Sequence, residues 1–177
     1  HVASPNLELH IYGGPAGKDN FLFTQHDAAE PQHGWNGMCS PTCALSLRDR
    51  NNYADLTGLA RISMQTMING FHQVRPVIKT ADGTWYISEA AVGYSSEYRT
   101  VEFMVQDIRW KKFDIAHVLE ANDAKWYTPD LTKVDEIGWT DLTPGNGHGQ
   151  GGWADVAKIE VHGKAVPRGG ATSEAGK

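Results

Sequence analysis

The clearest alternation of apolar and polar positions lies between Leu59 and Ser88, where three runs follow the two-residue period of half-buried strands. The runs are separated by Asn69-Gly70 and Asp82-Gly83 and span residues 60–65, 74–79 and 84–88. Both dipeptides favour tight hairpin turns because they tolerate positive φ. The pattern therefore predicts a three-stranded antiparallel meander.

The register of this meander predicts which side chains share a face. A two-residue turn at Asp82-Gly83 sets Ile78 opposite Ile87 and Lys79 opposite Tyr86. Asn69-Gly70 then needs a bulge or a loop of odd length to keep polar residues together. With that shift, one face carries the hydrogen-bonding side chains Arg61, Ser63, Gln65, Gln73, Arg75, Lys79 and Tyr86. Such a face is either a solvated exterior or a groove for a polar ligand.

Other short runs predict further strands around the meander, at residues 7–12, 44–48, 98–105, 113–119, 134–141 and 157–161. They favour an all-β antiparallel sandwich of 1–166, a single domain with a long N-terminal loop at residues 13–37. Residues 167–177 show no apolar period, which predicts a disordered tail.

Composition narrows the possible partners. The 177 residues carry a net charge of −5, which argues against a nucleic acid because phosphate binding needs a basic patch. No apolar run approaches the roughly 20 residues of a membrane-spanning helix, so we expect no membrane insertion. No signal peptide is present, but a processed one would have been removed, and we expect a secreted, periplasmic or cell-surface protein.

The two cysteines, Cys39 and Cys43, flank a proline-containing turn. A local disulfide suits an exported protein. Two alternatives remain open from the residues alone: a Cys2His2 metal site completed by His26 and His33, with unusual spacing, or a pair of free thiols.

The last third of the chain contains Asp-Leu-Thr-Lys-Val-Asp-Glu-Ile-Gly-Trp at 130–139, followed by Ile-Glu-Val-His-Gly at 159–163. These two segments resemble the closing strands of galactose-binding-like jelly rolls of the kind found in carbohydrate-binding modules. The resemblance implies two antiparallel sheets, a concave face that often binds sugars, and frequently a structural calcium near the last strands. Asp155, just before the last strand, is the candidate calcium ligand by position; no other cofactor is required.

Three functions fit the polar face. The first is polysaccharide binding, with the local positive charge favouring an acidic polymer, through Arg61, Gln65, Gln73, Arg75, Lys79 and Tyr86, and with Trp126 available for stacking. Alternatively the protein is a jelly-roll polysaccharide lyase acting on a uronate polymer, with His72, Gln73, Arg75 and Tyr86 as its catalytic set. As a third possibility, it is a non-catalytic protein-interaction domain of a cell-surface assembly. His1, if it is the natural N-terminus, would also suit a copper-binding histidine brace.

Overall fold

The computed structural model describes residues 2–13, 22–25, 27–123, 125–145 and 151–169. Within these residues, fourteen strands form two antiparallel sheets, and Val105–Asp107, a 3-10 helix, is the one helical element. The prediction of an all-β antiparallel sandwich is confirmed. None of the described segments forms a helix long and apolar enough to cross a bilayer.

The strands are short and joined mostly by turns. In chain order they are β1 (Leu7–Tyr12), β2 (Leu22–Thr24), β3 (His33–Trp35), β4 (Cys43–Asp49), β5 (Asn52–Asp55), β6 (Arg61–Ile68), β7 (Val74–Thr80), β8 (Trp85–Ser88), β9 (Ser95–Met104), β10 (Trp110–Asp114), β11 (Leu119–Glu120), β12 (Val134–Asp141), β13 (Ala154–His162) and β14 (Lys164–Pro167). Sheet A has the order β1-β4-β12-β7-β8-β10-β11, with β5 beside β12 and β14 beside β5. Sheet B has the order β2-β3-β13-β6-β9.

The main core lies between the two sheets. Sheet B contributes Ile62, Met64 and Ile68 from β6, and sheet A contributes Ile78 and Trp139, all of them almost fully buried. Because side chains alternate across each strand, the residues between these positions point to the outer faces. Burial of apolar area on this scale supplies the main driving force for folding.

The predicted three-stranded meander is wrong, because β6 and β7 lie in different sheets. β6 pairs with β13 and β9, whereas β7 pairs with β12 and β8. Gly70 does have the positive φ that its turn signal predicts, at 65°. Asn69, however, donates its backbone N–H to the carbonyl oxygen of Trp153, so this turn carries the chain from one sheet to the other.

The β7–β8 hairpin forms, but its register differs by one residue from the predicted one. Its loop is longer than two residues, since the Thr80 N–H donates to the Thr84 carbonyl. Ile78 therefore faces Tyr86, and Lys79 faces Trp85. A one-residue shift moves every side chain of a strand to the opposite face. Tyr86 consequently packs on the main core, and Trp85 takes its place beside Lys79.

The predicted N-terminal loop and C-terminal tail are described in part. Residues 13–37 contain β2 and β3, while residues 14–21 and His26 lie outside the described residues, as does His1. β14 runs to Pro167, and Arg168 donates hydrogen bonds to the backbone carbonyl oxygens of Asp49 and Asp135. The remainder of the predicted tail, residues 170–177, lies outside the described residues.

The predicted disulfide is confirmed. Cys39 and Cys43 are bonded, with their Cα atoms 5.6 Å apart, within the usual range for a disulfide. The bond closes the short loop that leads into β4. The alternatives of a Cys2His2 metal site and of free thiols are thereby excluded.

Candidate ligand-binding face

The outer face of sheet A, which points away from sheet B, carries polar side chains from four adjacent strands. Strand register places them in rows that run across the sheet. One row joins Arg48, Glu136, Lys79 and Trp85, and the next joins His10, Ser46, Gly138 and Val77. These residues come from distant parts of the sequence, so sheet pairing alone brings them together.

Glu136 is the centre of this face. Its side chain is only 2% exposed, although it does not point into the main core. Its Oε2 atom accepts hydrogen bonds from the Tyr12 hydroxyl (2.8 Å), His10 Nδ1 (2.9 Å) and the Ser46 hydroxyl, and its Oε1 accepts one from Lys79 Nζ (2.9 Å). A buried carboxylate is tolerated where hydrogen bonds and a cation replace its water. We call this set of five residues the Glu136 cluster.

Within the cluster, the surroundings of Glu136 favour its ionised form, and those of Tyr12 and Lys79 favour their protonated forms. Burial raises the pKa of Glu136, but the hydrogen bonds from Ser46, His10, Lys79 and Tyr12 outweigh it and hold that pKa below its ordinary value. Burial and the neighbouring carboxylate raise the pKa of Tyr12 far above its ordinary value. Burial would lower the pKa of Lys79, but its contact with Glu136 raises it overall.

A second layer of ion pairs holds the cluster in place. Asp135 lies next to Glu136 and contacts Arg48 Nε (2.9 Å), Lys79 Nζ (3.2 Å) and Arg168. Burial opposes ionisation of Asp135, yet hydrogen bonds from these three cations lower its pKa. Lys79 thus contacts two carboxylates at once, which fixes its ammonium group between Asp135 and Glu136.

A segment of the β10–β11 hairpin crosses the middle of the face. This segment, Asp114–Val118, is called the strap. Val118 is buried in one apolar cluster with Ala44, Val77 and Ile87, and its carbonyl oxygen accepts a hydrogen bond from the Thr42 hydroxyl at 3.0 Å. Val118 has a φ of +52°, which a β-branched residue rarely adopts. The surrounding packing therefore holds the strap in an unfavourable backbone conformation over the sheet.

Beyond the strap, the face ends in a group of cations and one exposed aromatic ring. Glu120 contacts both Arg75, at 3.3 Å, and Lys111. The ring of Trp126 is 45% exposed, with the Arg109 guanidinium 4.2 Å and Lys111 Nζ 5.1 Å from its centroid. Such distances are typical of cation–π contacts. We call these residues the Trp126 group.

The structure brings together only part of the predicted polar face. Arg75 and Lys79 lie on the outer face of sheet A, and Trp126 lies at its margin. Arg61 and Gln65 lie instead on the outer face of sheet B, where Arg61 pairs with Glu102 at 3.3 Å. Tyr86 points into the sandwich, for the reason of register given above. The prediction that all these residues share one face is therefore wrong.

The four residues of the predicted lyase site are also separated. His72 is almost fully buried and contacts Asp141, whose carboxylate also accepts a hydrogen bond from Asn36 at 2.7 Å. Gln73 is exposed just before β7, Arg75 is on the outer face of sheet A, and Tyr86 is on the inner face. His72 and Tyr86 are thus inaccessible from the face that carries Arg75.

The sequence reasoning missed most of the Glu136 cluster. His10 and Tyr12 have the outward parity of β1, whose alternation is visible in the sequence. That alternation could have placed them on a polar face. Glu136 gave no comparable signal, because it is one of three acidic residues in its strand and its partners come from three other strands.

Asp155, the predicted calcium ligand, lies buried on the outer face of sheet B. Its Oδ2 accepts a hydrogen bond from the Tyr98 hydroxyl at 3.3 Å, and its Oδ1 is 3.7 Å from His33 Nε2. Among the described residues, no group of three or more His, Cys, Asp or Glu side chains is arranged to hold a metal ion. Calcium at Asp155 stays a prediction.

The fold is similar to that of known jelly-roll modules. The family 11 carbohydrate-binding module from Clostridium thermocellum, solved with a β-1,3-1,4-mixed-linked tetrasaccharide, matches with a TM-score of 0.51 and 14% identity over 92% of each chain. The family 11 carbohydrate-binding module of the cellulosomal cellulase Lic26A-Cel5E of Clostridium thermocellum also matches. Its TM-score is 0.45 and its identity 13%, over 89% of this chain and 82% of the module's chain. The predicted jelly-roll fold is confirmed.

A longer protein, PfGH50B, matches with a TM-score of 0.49 and 10% identity over 89% of this chain. The chain spans 23% of the length of PfGH50B. No protein-family model matches the sequence. No curated protein matches it either.

Proposed function

We propose that this protein is a non-catalytic carbohydrate-binding domain that holds a polysaccharide on the outer face of sheet A. The observation that carries the proposal is the Glu136 cluster, in which a buried carboxylate fixes the orientation of His10, Tyr12 and Lys79 at the surface. Pre-oriented donors lose little conformational entropy when they bind a hydroxyl-rich ligand. The fold shared with a module solved in complex with a tetrasaccharide supports the same conclusion.

The charge states of the cluster support binding rather than acid–base catalysis. A general acid or base works best with a pKa near the working pH. Glu136 has a lowered pKa and stays ionised, whereas Tyr12 and Lys79 have raised pKa values and stay protonated. Each group is therefore suited to a fixed hydrogen bond rather than to proton transfer.

The Trp126 group favours an acidic polysaccharide. Arg75, Arg109 and Lys111 bring three positive charges against the two carboxylates of Glu120 and Glu89, so this end of the face carries a small excess of positive charge in a protein whose net charge is −5. Trp126 adds an exposed ring on which a sugar can stack. A uronate unit would meet a cation and an aromatic surface side by side.

The domain acts outside the cytosol under this proposal. The Cys39–Cys43 disulfide supports this location, because disulfides persist mainly in oxidising compartments. A polysaccharide ligand is encountered in the same places. Localisation of the full-length protein, by fractionation of the producing cells, tests this part of the proposal.

Binding of two oligosaccharides tests the proposal directly. We expect oligogalacturonate to bind more tightly than a mixed-linkage β-glucan oligosaccharide in isothermal titration calorimetry at low ionic strength, since added salt screens charged contacts. His10→Ala should weaken binding by about five- to tenfold, the scale of one lost hydrogen bond. Arg61→Ala, on the outer face of sheet B, is the matched control and should leave affinity unchanged.

Three results would overturn parts of this proposal. Equal effects of His10→Ala and Arg61→Ala would contradict a binding site on sheet A. Tighter binding of the neutral glucan would contradict the preference for an acidic ligand. New ultraviolet absorbance from unsaturated ends, formed when the protein is incubated with polygalacturonate, would show a lyase and contradict the non-catalytic assignment.

A further inference from the structure

On one side, β13 of sheet B is paired with a neighbouring strand over only part of its length. β3 pairs with β13 at Asp155 and Val156 alone. Among the described residues, the following segment of β13, Lys158–His162, has β6 as its only strand partner. Within the part of the chain that the structure describes, no strand pairs with the β3-side edge of this segment. Unpaired edges of this kind readily accept another strand.

An apolar cleft opens beside this edge, between the two sheets. It consists of two adjoining cavities of about 200 and 310 Å³ that share Leu7, Leu47 and Ile159 as walls. Val161, Ile137 and Val134 add apolar walls to the larger cavity, which polar residues, among them Asp49, Asn52 and Lys164, also line. β1, which forms the other side of the opening, is itself the edge strand of sheet A.

The cleft leaves inward-pointing apolar side chains uncovered. Ile159 and Val161 share the parity that faces sheet A, as the pairing of Ile159 with the core residue Met64 shows. Val161 is nevertheless 37% exposed. Leu7 and Leu47 on the facing strands are also only partly buried. The sandwich is thus incompletely closed along this side.

We propose that this cleft binds an extended peptide segment of a partner protein, which adds a strand to β13 next to Lys158–His162. A ligand that pairs with the backbone edge must present amide donors and carbonyl acceptors at the spacing of a strand. A ligand that fills the cleft must also present apolar groups on one side. An extended polypeptide with alternating apolar side chains supplies both at once. An alkyl chain would leave the backbone edge unpaired, and a glycan would leave the apolar walls poorly covered.

The open edge sets the length and pattern of the peptide. Five residues of β13 are available, which corresponds to about 17 Å of strand. Every second side chain of the added strand would enter the cleft between Leu7 and Ile159. The alternate side chains would lie on the outer face beside Lys158, Glu160 and His162, where polar residues of either charge find a partner.

This site is separate from the proposed polysaccharide site, because it lies between the sheets and not on the outer face of sheet A. Its failure would leave the carbohydrate proposal intact, and the reverse also holds. The two activities can be measured on the same variants.

Fluorescence anisotropy of a labelled peptide of alternating valine and threonine tests the inference. We expect saturable binding, and at least about tenfold weaker binding to Val161→Lys, which places a charge at the mouth of the cleft. Glu102→Lys, on the outer face of β9 and away from this edge, is the control and should change affinity less than about threefold. Val161 is already partly exposed, so Val161→Lys should still fold, which circular dichroism and unchanged oligosaccharide binding would verify.

A second peptide distinguishes strand addition from simple apolar contact. Methylation of alternate backbone amides removes hydrogen bonds along one edge while the side chains stay the same, and it should abolish binding. Equal binding of both peptides would overturn the inference, as would tight binding of dodecanoate in the absence of peptide binding. Concentration-dependent dimerisation that Val161→Lys abolishes, without peptide binding, would replace the partner peptide by a second copy of this chain.

Discussion

The outer faces of the two sheets carry similar residue types in different surroundings. On sheet A, Glu136 is buried and contacts four polar side chains; on sheet B, Glu102 is mostly exposed and contacts Arg61. An exposed ion pair contributes little to stability because water screens it and the side chains lose entropy. A buried, fully hydrogen-bonded carboxylate fixes the position of every partner. Burial of the charge, more than residue type, therefore distinguishes the surroundings of Glu136 from those of Glu102.

Removal of the central carboxylate should give the largest difference between the two faces. Glu136→Ala leaves Lys79 partly buried without its closest acceptor, and we expect a loss of about 3–5 kcal/mol in the free energy of unfolding. Glu102→Ala on sheet B should cost at most about 1 kcal/mol. Urea denaturation followed by tryptophan fluorescence measures both. Similar costs for the two variants would contradict the distinction between the faces.

Substitution of two buried serines by alanine, one on each outer face, should cause smaller losses in the free energy of unfolding. Ser46 donates a hydrogen bond to Glu136. Ser63 occupies a comparable buried position on β6, where, within the described residues, its hydroxyl makes no hydrogen bond to a carboxylate. Ser46→Ala should cost about 1.5–3 kcal/mol, the range for a hydrogen bond to a charged group. Ser63→Ala should cost well under half of that. The same urea denaturation compares them, and a larger loss for Ser63→Ala would be inconsistent with the network described.

Acidification should give the smallest of these effects, a loss of folding stability that arises from the carboxylates on sheet A. Because the folded-state pKa of Glu136 lies below its unfolded value, folding favours the ionised carboxylate. This contribution is fully present above a pH of about 4.3 and is lost as the pH falls through the folded-state pKa. Asp135, whose pKa is also lowered, contributes in the same acidic range.

Stability measured in urea between neutral pH and the acidic range tests this dependence. Glu136→Gln keeps the shape of the side chain without its titration, so it should show a shallower loss of stability on acidification than the parent protein. A parallel decline in the two proteins would assign the acid sensitivity to groups outside the cluster.

The sequence was sufficient to predict most strands but not their assignment to sheets. Val134–Asp141 and Leu7–Tyr12 form as predicted because strand alternation is a local property. The turn at Asn69-Gly70 looks locally like a hairpin, yet β6 and β7 gain more by pairing with β13 and β12, which are distant in sequence. Long-range pairing of this kind leaves no trace in local patterns.

The residues of the candidate site were predicted less well than the strands, for the same reason. Lys79 and Arg75 were recognised because their own strand alternates clearly. Tyr86 was assigned to the wrong face because the predicted register of β8 differed by one residue. Arg61 was assigned to the wrong face because β6 lies in the other sheet. Glu136 was not recognised because it is one of three acidic residues in β12, and its role becomes clear only when its partners on β1, β4 and β7 are known.

The strap has a consequence for how ligand length would govern affinity. Because Val118 covers Val77 and Ile87, it separates the Glu136 cluster from the Trp126 group. A polymer bound under the proposed function would thus touch the domain at two half-sites joined by a stretch that makes few contacts. Linked half-sites act through effective concentration, so a ligand that reaches both binds far more tightly than one that reaches either alone. Affinity should therefore rise steeply at the oligosaccharide length that first spans the strap, and level off beyond it.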